Sequence, residues 1–386
     1  MRKDASTRTG RPGGAGILRA VPTARRTNPA PLTDPSVRSV LLVRLRVGLG
    51  DLLCTAPAVR ALRAARPDLH VALATWPEMA GVLARMPEVD ELVPFPGAPG
   101  IPERPPGPSS ALDRWCDDVA ARGFDLALQV YGDNPAANAV TARTGARLVG
   151  GFAPTRGGLD VDPALHVPYP HSLHEVERHL RLLEHLGLPA GADRALSWPV
   201  RPEDEGVQQR LGLPPGPYAV LHPGATSSSR RWPVVRFAEV GDALAADGLR
   251  VLVGGVPSEA PTTAALVDAL SADAVDLTGR TTLGEYAVLL RDADVVVAND
   301  TGTAHLSAAV GGRVVTVFLS GDPVRWRHPE HLQRVARAEV GCGPCPHLDC
   351  PIDHRCATRV TPAEVLAAAR ALRGTRTTPA RPSAAR

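Results

Sequence analysis

The chain has 386 residues, with 43 Lys and Arg against 40 Asp and Glu and a formal net charge of +3. That length suits two domains, and so small a basic excess does not mark a nucleic-acid binder. No apolar stretch approaches the ~18 residues a membrane helix needs and no signal-peptide core is visible, so the chain reads as cytoplasmic.

Residues 1–37 and 374–386 hold arginines among Gly, Pro, Thr and Ala and read as disordered tails. Lys3 is the only lysine, so arginine must serve wherever a site needs a cation. Between the tails the pattern alternates. Residues 39–44 are a short apolar strand, followed by the glycine turn Val47-Gly48-Leu49-Gly50-Asp51 and a helix over 52–66. Strands are expected at 69–74, 91–93 and 125–130, and helices at 77–86, 111–122, 134–143 and 173–186, with a Pro/Gly-rich loop at 94–110. Residues 189–204, with Pro189, Pro199 and Pro202, read as a linker between an N-terminal domain (38–188) and a C-terminal domain (205–373). The second domain repeats the alternation, with strands at 218–221, 249–253, 274–276, 294–298 and 313–318. Its helices are expected at 234–247, 258–270, 282–291, 303–310 and 362–373. The fold class is therefore α/β: two doubly wound, Rossmann-like domains facing across a cleft at their C-terminal strand edges.

The turn Asn299-Asp300-Thr301-Gly302-Thr303-Ala304-His305 joins a strand to a helix start. Such a turn aims backbone N–H groups and the helix dipole at one point, which suits phosphate. His222-Pro223-Gly224-Ala225-Thr226, running on to Arg230-Arg231-Trp232-Pro233, has the same character. Two anion-directed loops in one domain suggest a diphosphate ligand such as a nucleotide-sugar. Arg230 is either a bidentate phosphate ligand or a solvated surface residue. Glu259 either accepts bonds from sugar hydroxyls or complements a helix N-terminus. His305 is either part of this cluster or a satisfied core histidine. Asp51 is either a helix N-cap or a general base at the cleft mouth. A dinucleotide fingerprint fails here, because Leu53 stands at the third glycine and the second strand ends in Ala74-Thr75-Trp76 without an acid. Asp292-Ala-Asp294 and Asp160-Val-Asp162 read as boundary residues rather than metal ligands. Cys342, Cys345, Cys350 and Cys356, in a loop at 341–356, are low-ranked zinc candidates. A reduced, locally packed loop is the preferred reading.

In this order and spacing, the motifs resemble glycosyltransferase family 9, the ADP-heptose:lipopolysaccharide heptosyltransferases. The pieces are Val43-Arg44 to Gly50-Asp51, Thr55-x-Pro57-Ala58, Val89-Asp90-Glu91-Leu92, His222-Pro223-Gly224 and Arg230-Arg231-Trp232-Pro233. Leu277 to Thr281, Asn299 to Gly302 with His305, and the cysteines complete the set. The resemblance implies a GT-B fold, inversion at the anomeric carbon and no required metal or cofactor. It implies Asp51 as the base and Thr226, Arg230, Glu259, Asp300, Thr301, Gly302 and His305 as donor-binding residues. Arg230 stands where the family has lysine. The implied partners are an ADP-sugar donor and a glycan, glycolipid or glycosylated small-molecule acceptor, with peripheral contact at the inner membrane face as an option. The rival readings are a hexosyltransferase or sugar-nucleotide epimerase of the same fold, and a non-catalytic nucleotide-sugar binder, which would have no need of Asp51.

Overall fold

The computed structural model describes residues 30–46, 48–155, 161–189, 191 and 193–374. Most of both expected tails, Val47 of the first glycine turn and Asp160 lie outside the described residues. The N-terminal domain runs β1 (Ser39–Val43), α1 (Leu49–Ala65), β2 (His70–Thr75), α2 (Ala80–Leu83), β3 (Glu91–Pro94), α3 (Ser109–Ala121) and β4 (Leu126–Gln129). It continues with α4 (Pro135–Ala142), β5 (Leu148–Ala153), β6 (His166–Pro168) and α5 (Glu175–His185). The C-terminal domain runs α6 (Val207–Arg210), β7 (Tyr218–His222), α7 (Val234–Ala246), β8 (Arg250–Val253), α8 (Ala260–Ala269), β9 (Ala274–Asp276) and α9 (Leu283–Asp292). It closes with β10 (Val295–Asn299), α10 (Gly302–Ala309), β11 (Val314–Val317), α11 (Pro323–Trp326), β12 (Gln333–Ala336), α12 (Arg355–Arg359) and α13 (Pro362–Gly374).

Each domain holds one six-stranded sheet, ordered β3-β2-β1-β4-β5-β6 and β12-β11-β10-β7-β8-β9. Every pairing is parallel. Read outward from β1 and from β7, the two orders are the same doubly wound pattern. The strand order reverses between β1 and β4 in one sheet and between β7 and β10 in the other. Crevices beyond the strand ends at such reversals are where ligands bind. The central strands are continuous apolar runs, SVLLV, YAVLH and VVVAN, because helices cover both faces.

The structure adds strands the sequence pattern does not show. In β5 the run LVGGFA is broken by Gly150 and Gly151, and a side chain on either would strike Leu165 O or Gln129 O at about van der Waals overlap, 2.4 and 2.3 Å. β6 has three residues and β12 is an outermost strand with an exposed Val335, so neither shows a period. Residues 77–86 hold a short 3-10 turn and the four-residue α2 rather than one helix. Residues 30–37, placed in the tail by composition, carry Leu32 and Val37 fully buried, and Leu32 N–H donates to Leu186 O at 3.1 Å. Two apolar residues among Thr, Asp, Pro and Ser are too few to show periodicity.

Helix α1 starts at Leu49, three residues earlier than the pattern suggests, so Gly50 and Asp51 lie in its first turn. It packs against α10 of the other domain. One apolar core runs through this contact, joining Leu52, Leu53 and Leu62 to Leu306, Ala309 and Val220. Between the domains Trp198 is buried, its backbone N–H donating to Ala309 O at 3.2 Å, and Asp204 pairs with Arg85.

Candidate active site

Asp51 is the third residue of α1. No side chain caps this helix; Gly48 stands at the N-cap with extended backbone. The Asp51 carboxylate instead accepts from Arg44 through Oδ1 at 2.8 Å, with Arg46 Nε at 3.8 Å. Its other oxygen lies over Gly48, where a Cβ would come within 2.4 Å of Oδ2. Arg44 is completely buried and also donates to Val130 O at 2.7 Å and to Glu175 Oε1 at 2.9 Å. Glu175, also completely buried, takes Arg178 at 2.9 Å and Arg325 at 2.8 Å on its second oxygen. Burial alone would raise the Glu175 pKa, but Arg325 and Arg44 outweigh it and hold the carboxyl well below the usual range. Arg325 comes from α11 of the C-terminal domain, so this buried network crosses the domain boundary. Nearby, Arg46 lies over the Tyr131 ring at 4.6 Å, and Tyr131 Oη donates to Glu103 at 2.8 Å.

On the opposite wall, β7 ends in His222, whose Nε2 is 3.6 Å from Glu259. Glu259 accepts from Val256 N–H at 3.0 Å. Burial raises its pKa, but the His222 bond, with further help from Val256 N–H and Arg231, brings it below the ordinary value. Gly224 is needed beside it, since a Cβ there would sit 2.0 Å from Glu259 Oε1. Thr226 is exposed at the cavity edge. Arg230 is part-exposed, with Nη1 at 3.8 Å from Asp300 Oδ2 and 3.5 Å from Asp300 O. Asp300 is buried, and burial, only partly opposed by Arg230 and Arg325, pushes its pKa up to about 6. Thr301 is the N-cap of α10, with extended backbone and no side-chain capping bond. The first N–H groups of a helix have no partner within it, and Thr301, Gly302 and Thr303 at the start of α10 line the cavity, where the helix dipole favours an anion. A Cβ on Gly302 would meet Leu49 Cβ at 3.1 Å, which shows how closely α1 and α10 abut.

One cavity of about 510 Å³ brings these groups together. Asp51, Thr226, Arg230, Glu259, Asp300, Thr301, Gly302 and His305 all line it, from both domains. His305 also has the core character its rival reading allowed. It is buried under Gly50, with Nδ1 at 2.9 Å from His328 Nε2 and 3.9 Å from Cys54 Sγ. Burial lowers its pKa to about 4, so the ring is neutral.

The four loop cysteines are free thiols around a second, small cavity of about 20 Å³. Among the described residues no group of three or more His, Cys, Asp or Glu side chains is set to hold a metal ion. No helix among them is long and apolar enough to cross a membrane. The sequence reading missed Glu175, Arg325 and His328. Glu175 has one local partner, Arg178 at i,i+3 in α5, but the contacts that tie these residues to the cavity, Arg44 and Arg325 to Glu175 and His305 to His328, come from other elements that no local spacing reveals.

The model of glycosyltransferase family 9 (heptosyltransferase) matches residues 115–355 of the chain. Lipopolysaccharide heptosyltransferase 3 of Escherichia coli K12 is 25% identical over 293 residues, covering 72% of this chain and 82% of that protein. Lipopolysaccharide heptosyltransferase 2 of Salmonella typhimurium LT2 is 26% identical over 311 residues, covering 76% and 86%. The structure of E. coli ADP-heptose lps heptosyltransferase II superposes with a TM-score of 0.69 at 21% identity, over 87% of this chain and 98% of that one. That likeness bears on the fold, which is GT-B: two Rossmann-like domains around an interdomain cleft. The chain belongs to glycosyltransferase family 9 and is a glycosyltransferase.

Proposed function

We propose that this enzyme moves a heptose from ADP-heptose to a hydroxyl of a glycan or glycolipid acceptor, with inversion and without a metal ion. The observation that carries the reading is the cavity itself. A carboxylate from one domain and a free helix N-terminus with an arginine from the other face the same space. The heptosyltransferase names of the relatives support the sugar, and the ADP-heptose in one neighbour's title supports the nucleotide.

In this mechanism Arg230 and the N–H groups of Thr301 and Gly302 hold the donor diphosphate, while Thr226 and Glu259 contact the donor's polar edges. Arg44 commits Asp51 Oδ1, leaving Oδ2 to accept the proton of the acceptor hydroxyl. The acceptor oxygen attacks the anomeric carbon from the face opposite the diphosphate. The bond to the diphosphate oxygen breaks, and its electron pair leaves with the nucleoside diphosphate. Cationic and N–H groups stabilise that charge, the part a metal ion plays in other sites. A protein that only binds nucleotide-sugars has no need of a base in the opposite domain, and Asp51, whose second oxygen is not engaged by Arg44, lines the cavity there, which favours the catalytic reading. Incubation with ADP-heptose, with a UDP-hexose as the comparison, tests this through release of nucleoside diphosphate. Release from the ADP-sugar that persists in EDTA supports the reading. Release only from the UDP-sugar, or only with added magnesium or manganese, contradicts it.

A further inference from the structure

The donor segment 226–230 is a loop and one 3-10 turn, Ser228–Arg230, without a side-chain cap of its own. Its polar groups are tied instead to the cysteine loop about 120 residues away in sequence. Ser229 N–H donates to Leu348 O at 2.9 Å, and Ser229 Oγ donates to His347 O at 2.7 Å. Ser227 Oγ bonds Leu348 O, and Ser228 Oγ bonds the Asp349 carboxylate. His354 Nε2 lies 3.0 Å from Ser229 O. Ser227 and Ser229 are buried, so their hydroxyls need these partners.

The cysteine loop is itself held in shape. His354 N–H donates to Cys350 Sγ at 3.3 Å, and Cys345 N–H to Ser320 O at 2.9 Å. Ser320 Oγ in turn meets Ser229 Oγ at 2.9 Å. The small thiol-lined cavity lies directly beneath this junction. Leu348, 72% exposed, stands on the rim of the main cavity beside Thr226 and Ser227.

We propose that the segment 347–349 of the cysteine loop positions the donor site: it fixes Ser227 to Ser229, and through them Thr226 and Arg230, for the donor diphosphate. This rests on the reading of Thr226 and Arg230 as donor ligands. The cysteine loop then acts on donor affinity, not on the acceptor or the proton transfer. Ser227, Ser228, Ser229 and Asp349 are positioning residues.

The test is steady-state kinetics on the full chain, varying donor and acceptor separately. Ser228 and Asp349 reach the surface, so Ser228→Ala, Asp349→Ala and their combination form a cycle that the fold should tolerate. Each single change should raise the donor KM about three- to ten-fold, leave kcat and the acceptor KM within about two-fold, and add nothing when combined. Ser227→Ala should act in the same direction, and Ser227→Thr, which keeps the hydroxyl, should restore the donor KM. Arg230→Ala separates the two layers. If it raises the donor KM while the serine and Asp349 variants do not, the positioning role is wrong and the donor site stands. If Arg230→Ala also leaves the donor KM unchanged, the donor-site reading fails and this proposal with it. A lowered melting temperature with an unchanged donor KM would show a merely structural contact and overturn the proposal.

Discussion

Gly48 shows how a single methyl group decides the position of the proposed base. Its backbone is ordinary extended chain, so the constraint is steric: a Cβ would approach Asp51 Oδ2 to 2.4 Å. Gly48→Ala should push the carboxylate off its setting beside Arg44. Misplacing a reacting group by even ~1 Å can cost on the order of 10²-fold, so turnover should fall by ten-fold or more, by order of magnitude, with ADP binding retained. Turnover within about two-fold of the parent would show that the Oδ2 position is not critical. This part of the site was legible in the sequence because the turn, the carboxylate and the helix start are chain neighbours. The same holds for Asp300 to Gly302. Glu175 was not legible, since its partners Arg44 and Arg325 lie 131 and 150 residues away and only the folded chain brings them together. His305 was half legible: its turn placed it at the cavity, but its contact with His328 came only from packing.

At the scale of elements, α5, α11 and Arg44, the residue that follows β1, meet at one buried carboxylate. Glu175 pairs with Arg44, Arg178 and Arg325 together, and Asp51 supplies a second carboxylate to Arg44. Removing one partner of a buried ion pair leaves an uncompensated charge, which costs about 3–5 kcal/mol. Glu175→Gln should therefore lower the urea midpoint by a matching amount, and should cost turnover even in the molecules that stay folded, because Arg44 loses the partner that fixes it toward Asp51. An unchanged midpoint would show that the three arginines are solvated or compensated elsewhere. The elements themselves were readable in proportion to their burial. Central strands such as VVVAN and the helices flanking them carry strong periodic patterns. β6, β12 and α11 are too short or too polar for any pattern, yet α11 delivers Arg325 across the domain boundary.

At the scale of the whole molecule, neutral histidines sit where the two domains meet, beside the apolar α1–α10 contact and the Glu175–Arg325 pair. His174, at the start of α5, reaches Arg327 O at 2.8 Å across the boundary, and His328 meets His305 edge to face beside it. Burial lowers the pKa of all three, that of His305 to about 4 from 6.5. A folded state that binds fewer protons than the unfolded one loses stability as pH falls. The loss should begin near pH 6.5 and run to about pH 4. Asp300 acts in the opposite sense below pH 6, since its raised pKa makes the folded state the better proton acceptor, and Glu103, raised by burial, acts the same way; buried His179, lowered to about 3, and His166, also lowered, add to the histidine side. Melting temperature should thus fall across this window, and His305→Gln should flatten the fall. A flat profile in the parent would contradict the buried neutral histidines.

In the proposed mechanism chemistry occurs across this boundary, with Asp51 of one domain as base for a donor held by the other. Asp51→Asn tests it most directly, by single-turnover transfer beside ADP affinity and melting temperature. The substitution keeps the side chain's size and an oxygen for Arg44. The expected rate loss is roughly 10²–10⁴-fold, the usual worth of a general base, with donor affinity and melting temperature held. Transfer within a few-fold of the parent rate per folded molecule would contradict it.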